Sequence, residues 1–131
     1  MQIQRDMKTY QTDQIKSIAL IGNSVSGKTS LAEAMLFNGG VLERRGTIAG
    51  KNTASDYRPI EQENGNSIFS TVLYSEFRNK KINIFDTPGL DDFSGGVISS
   101  LFASDAAIMT INVQNGVEVG TEIHFRHAEK D

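Results

Sequence analysis

The stretch Gly22-Asn23-Ser24-Val25-Ser26-Gly27-Lys28-Thr29 decides how the rest of the chain is read. It matches G-x-x-x-x-G-K-[ST] at every fixed position, a pattern whose glycines let consecutive backbone N–H groups turn inward around an anion. Its surroundings fit that use. Residues 15–21, I-K-S-I-A-L-I, are a short apolar run rich in β-branched side chains and read as a buried strand closed by Gly22. Residues 29–37 hold strong helix formers, with Leu31, Met35 and Leu36 on one face, and Asn38-Gly39-Gly40 stops them. The helix N-terminus adds its partial positive charge to the nest of amides. Lys28 is then placed to reach the β- and γ-phosphates of a nucleotide, and the Thr29 hydroxyl to ligate magnesium. A chance glycine loop before a helix is the rival account, and a full match in the right context outweighs it.

Outward from this loop the elements alternate. Residues 41–66 carry four charged residues of each sign, three glycines and Pro59, with weak periodicity; a loop of this length is usually functional, not just connective. Residues 67–77 alternate, with Ile68, Val72 and Tyr74 among polar neighbours. Arg78-Asn79-Lys80 reads as a turn, and residues 81–85, K-I-N-I-F, as the returning strand. A short helix is expected over 97–103 after the glycine pair Gly95-Gly96, a buried strand over 106–113, and a last helix over 118–130. This order gives an α/β fold: a mostly parallel sheet with one antiparallel edge strand from the hairpin, and helices packed on it. No internal repeat or low-complexity tract interrupts it.

Asp86-Thr87-Pro88-Gly89 follows the K-I-N-I-F strand directly. Alone it is a turn signature. Downstream of a phosphate loop, the aspartate of such a D-x-x-G can hold magnesium, usually through water, and the glycine N–H can sense a γ-phosphate. A hydroxyl between the two motifs is needed to close over the metal. Ser67 is the best-placed candidate, with Thr71 and Thr53 less well placed.

Composition narrows the setting. With 131 residues the chain is one domain at most, and 38% hydrophobic with 22% charged residues speaks against wholesale disorder. A net charge of -3 gives no support for broad electrostatic binding of nucleic acid, so no direct DNA binding is expected. The absence of cysteine removes disulfides and thiolate chemistry. Residues 1–14 are polar, and no apolar run approaches the roughly 20 residues that span a bilayer. A cytoplasmic protein without membrane partners is expected. His124 and His127, three apart on the last helix, could face one way, but a zinc pair there has no further ligands nearby. Arg44-Arg45 reads as a solvated basic pair in preference to a phosphate or RNA contact.

The chain resembles translational GTPases of the elongation factor G type from residue 15 onward. Ser30-Leu31-Ala32-Glu33-Ala34-Met35-Leu36 is similar to that family's first helix. Gly50-Lys51-Asn52-Thr53-Ala54-Ser55-Asp56-Tyr57 and residues 59–62 resemble its first switch, and residues 81–89 its magnesium strand and second switch. Asn115-Gly116-Val117-Glu118 resembles the turn after its next strand. The resemblance implies a P-loop NTPase G domain that binds GTP or GDP with Mg2+, in a protein that works with the ribosome in translocation. It implies contacts to nucleotide from Gly22, Asn23, Ser24, Val25, Ser26, Gly27, Lys28, Thr29, Ser30, Asp86 and Gly89, and to metal from Thr29, Ser67 and Asp86.

The departures from the family cluster. Where it places a water-orienting histidine after D-T-P-G, this chain has Leu90, which has no donor or acceptor. Its flanking apolar gate is replaced by Ser24 and Asn66. Its phosphate-loop aspartate is Val25, and its R-G-[IV]-[ST]-I segment reads Asn64-Gly65-Asn66-Ser67-Ile68. Phosphate and magnesium positions are kept while the hydrolytic ones change, which implies binding with little or no turnover; no catalytic residue is assigned. Asp91 and Asp92 could substitute for the histidine, though a solvated loop or helix cap is the plainer account. The family's guanine-reading N-K-x-D does not occur in residues 1–131. The chain is therefore expected to be a C-terminally truncated G domain that binds nucleotide weakly and unfolds easily when isolated, with an uncovered edge at the 106 strand. Rival accounts are a competent GTPase of the same family, a P-loop ATPase or non-translational regulator, and an inert remnant.

Overall fold

The computed structural model describes residues 8–42, 46, 50, 54, 59–60, 70–89 and 94–130. The apolar run at the start of the chain forms β1 (Ile15–Gly22) and leads through the glycine loop into α1 (Lys28–Asn38). The hairpin is β2 (Thr71–Phe77) and β3 (Lys80–Asp86), followed by α2 (Ser94–Phe102), β4 (Ala106–Thr110) and α3 (Val119–Ala128). The sheet runs β2-β3-β1-β4. β1 is parallel to both neighbours, with Leu20 opposite Asp86 on one side and Gly22 opposite Thr110 on the other. β2 and β3 are antiparallel, joined by Arg78 and Asn79 at φ 47° and 61°. Two consecutive positive φ values are what a two-residue hairpin turn matched to strand twist requires. Lys80 accordingly opens β3 instead of closing the turn.

Alternation along β1 divides the core. Ala19 and Ile21 pack with Val97 and Leu101 of α2, and with Phe85, Met109 and Ala128 around them. Leu20 faces the other way, onto Ala32 of α1 and Ile84 of β3, with Ile18, Leu31 and Met35 at the margin. Helices therefore cover both sheet faces, as the α/β pattern requires. Asp105 fastens the lower end of β1: its Oδ2 accepts from Ser17 N at 2.7 Å and its own N donates to Ser17 O at 2.8 Å.

Three expectations are corrected. The pair Gly95-Gly96 lies inside α2, not ahead of it. A Cβ on Gly96 would stand 2.7 Å from Ser70 Oγ and 3.5 Å from Pro88 Cδ, so glycine lets the helix start close against the end of the hairpin. β4 stops at Thr110 instead of residue 113, because Asn112 leaves the ladder and its Oδ1 accepts from Gln114 N at 2.8 Å. Nor is β4 buried: Ala106, Ala107 and Ile108 are exposed, since among the described residues the strand pairs with β1 alone.

Candidate phosphate-binding site

All three segments of the site leave the sheet at one end, where β1, β3 and β4 finish in register. The loop after β1 has positive φ at Gly22 (142°), Val25 (59°) and Gly27 (95°). At Gly22 the glycine is enforced by space as well as by φ, because a Cβ would lie 2.3 Å from the Thr110 carbonyl oxygen. The chain around the loop braces it from several sides. Gly22 N donates to His124 Nδ1 at 3.3 Å, and Asn112 Nδ2 donates to Val25 O at 2.9 Å. The Ser26 hydroxyl donates to Asn23 O at 2.6 Å and lies 2.7 Å from Thr110 Oγ1. Gly27 is the N-cap of α1, so the first helical amides open toward the loop.

Lys28 and Thr29 open α1, and both are 6% exposed. The Lys28 ammonium folds across the loop, donating to Gly22 O at 3.0 Å and Asn23 O at 2.7 Å, so it faces the cradle instead of bulk solvent. Thr29 Oγ1 donates to Asp86 Oδ2 at 2.7 Å, and Asp86 is fully buried. Thr87 pins the turn after β3 through its hydroxyl, which donates to Leu20 O at 2.6 Å. The turn then brings Gly89 against the loop: a Cβ there would lie 2.5 Å from Ser24 N and 2.7 Å from Lys28 Nζ. Only a glycine leaves that gap open.

This donor set fits a phosphate with a hard divalent ion. A glycine loop at the N-terminus of α1 and an ammonium suit the anion, while a hydroxyl and a carboxylate 2.7 Å apart suit Mg2+. Of the expected site residues, 22–30, Asp86 and Gly89 are brought together. Ser67 and the alternative Thr53 lie outside the described residues, as do Leu90, Asn66, Asp91, Asp92, Arg44 and Arg45. Thr71, the remaining alternative, sits in β2 opposite Asp86 across the hairpin. His124 does not pair with His127 in a metal site; it is fully buried with Nδ1 on the loop amide. Among the described residues no group of three or more His, Cys, Asp or Glu side chains could hold a metal. Sequence reasoning missed three contributors: His124, Thr110 and Asn112. For His124 a signal existed, since Gly120, Thr121 and His124 form the buried stripe of α3 at helical spacing.

A mostly parallel sheet that ends in such a loop, with a hydroxyl and a carboxylate meeting at the first turn of the next helix, defines a P-loop α/β domain. Residues 13–131 match the family model of the elongation factor Tu GTP binding domain, and the chain belongs to that family. It is 39% identical over 129 residues to peptide chain release factor 3 of Lactobacillus gasseri, covering 93% of this chain and 25% of that protein. Against peptide chain release factor 3 of Enterococcus faecalis the identity is 37% over 122 residues, covering 90% and 23%. The chain thus spans about a quarter of the length of these curated relatives. A crystal structure of a Thermus thermophilus protein superposes with a TM-score of 0.86 at 37% identity, covering 89% of this chain and 18% of that one. No helix among the described residues is long and apolar enough to cross a membrane.

Proposed function

We propose that residues 1–131 are the phosphate- and magnesium-binding part of a guanine-nucleotide switch, in an elongation factor G-like translation factor acting with the ribosome in translocation. The observation that carries this reading is the 2.7 Å bond from the Thr29 hydroxyl to Asp86, formed beside a lysine that folds over the glycine loop. Thr29 and Asp86 would hold Mg2+, which supplies charge neutralisation of the β- and γ-phosphates when bound. Lys28 binds the same phosphates, and the Gly89 amide donates to the terminal one. The site therefore distinguishes GTP from GDP through the segment after β3. Guanine preference rests on the family, because residues 1–131 contain no N-K-x-D.

Leu90 occupies the sequence position, right after D-T-P-G, at which elongation factor G-like proteins carry the histidine that orients the attacking water. A missing group of that kind costs on the order of 10²–10⁴ in rate. The work of this switch is then conformational, with GTP selecting the ribosome-binding shape and little turnover. The test is competition of GTP and ATP against a labelled GTP analogue on the full-length protein, followed by ribosome-stimulated phosphate release. Equal competition by ATP removes the guanine assignment, and release at the rate of ordinary elongation factors removes the impaired-hydrolysis one.

A second reading has its own support, since curated relatives at 37% and 39% identity are named peptide chain release factor 3. On that reading the full-length protein acts in peptide chain release. Ribosomes halted at a stop codon separate the two: a translocation factor advances the messenger from a sense codon, and a termination factor changes only the stop-codon complexes.

A further inference from the structure

Glu33 lies in the middle of α1, is 1% exposed, and belongs to no part of the phosphate site. A carboxylate in that position is costly to bury unless its oxygens receive hydrogen bonds. Both do. Oε2 accepts from Gly46 N at 2.9 Å, and Oε1 accepts from Ala54 N. The two donors are backbone amides from the connection between α1 and β2, eight positions apart, and Gly46 is itself buried. One side chain thus gathers two points of a long connection onto one helix. Glu33 is also four residues after Thr29, so the two side chains share a face of α1. The loop anchor and the hydroxyl that meets Asp86 are carried by consecutive turns of the same rigid element.

We infer that Glu33 is a positioning residue of the switch: its carboxylate holds the α1–β2 connection against α1 at Gly46 and Ala54, and α1 transmits that placement to the Thr29–Asp86 pair. Part of this inference rests on the nucleotide reading above, and part does not. The anchoring is a property of the fold and holds without ligand. The coupling requires that the site take a nucleotide. No neutral side chain of the same shape replaces the carboxylate, because it must accept at both oxygens while an amide offers one acceptor and one donor. Charge-assisted bonds of this kind are stronger than neutral ones.

The experiment compares wild type with Glu33→Gln and Glu33→Ala in the full-length protein. Amide exchange is read at Gly46 and Ala54, and affinities are measured for GDP and a non-hydrolysable GTP analogue. Exchange at Leu20 and Ile84 reports whether the core is intact, and the near-isosteric Gln variant keeps the comparison valid should the Ala variant fail to fold. The expected result is exchange at Gly46 and Ala54 faster by roughly tenfold or more in Glu33→Gln. With it, the preference for the triphosphate analogue over GDP falls by roughly fivefold or more. Glu33→Asp, which keeps the charge, recovers part of both. Unchanged exchange at Gly46 and Ala54 overturns the anchor. Faster exchange with an unchanged preference overturns the coupling. A wild-type protein that binds neither nucleotide refutes the coupling and the functional reading together, while the exchange comparison still decides the anchor.

Discussion

His124 Nδ1 lies 3.3 Å from Gly22 N and accepts its hydrogen bond, joining the last helix to the first residue of the phosphate loop across 102 positions. The imidazole is fully buried, and the amide it serves belongs to a residue that has no room for a side chain. The loop is therefore held from outside as much as by its own glycines.

Replacing His124 by leucine keeps most of the volume and leaves the Gly22 amide without that acceptor. A buried donor so stranded costs about 1–3 kcal/mol. Urea denaturation followed by fluorescence or circular dichroism should show that loss, with nucleotide affinity falling alongside it. Wild-type stability in His124→Leu would mean that the contact contributes nothing.

Lys28→Ala removes the ammonium that spans Gly22 O and Asn23 O. Calorimetry with a non-hydrolysable GTP analogue is expected to show affinity reduced by roughly 100-fold or more, because charge-assisted bonds to phosphate are lost together. An unchanged dissociation constant would place the phosphates elsewhere.

Gly89→Ala drives a methyl group to 2.5 Å from Ser24 N and 2.7 Å from Lys28 Nζ. The backbone at position 89 must retreat, and with it the amide assigned to the terminal phosphate. GTP-analogue binding should weaken at least roughly tenfold while GDP binding changes less. Equal weakening of both would show that Gly89 supports the loop without sensing the third phosphate.

Val25 is a β-branched residue at φ 59°, and it is 76% exposed, so its conformation costs strain that no burial offsets. Val25→Asn, a residue that tolerates the left-handed region, should raise stability by roughly 1 kcal/mol. The comparison is again by urea midpoint, and a destabilised variant would show that Val25 makes a contact worth more than its strain.

Leu90→His tests the hydrolytic departure directly. The sequence predicts single-turnover GTP hydrolysis on ribosomes faster than wild type by roughly 10²–10⁴. If the wild-type protein already hydrolyses GTP as ordinary elongation factors do, another group orients the water.

What the sequence showed and what it hid divide along physical lines. Local patterns carried the strands, α1 and both phosphate motifs, because glycine spacing and apolar alternation are written in consecutive residues. Reading two such motifs together put Thr29 and Asp86 at one magnesium site, but not their direct hydrogen bond. The braces were invisible for the opposite reason. His124, Asn112 and Thr110 reach the loop from 84 to 102 positions away, and nothing in their own neighbourhoods specifies a target. Glu33 looked like an ordinary helix former in a segment similar to elongation factor G, and only its burial set it apart. Gly95-Gly96 lies inside α2 although glycines usually end helices, because Gly96 packs closely against Ser70 and Pro88.

The register of β1 has a consequence for how this protein can be assayed. Because Leu20 faces Asp86 and Gly22 faces Thr110, sliding either neighbouring strand by one residue would carry its contribution about 3.3 Å out of place. A β3 strand out of register would separate Asp86 from Thr29. Ligand occupancy is thus a gauge of conformational integrity, and a titration done at rising denaturant should lose sites in step with the cooperative transition.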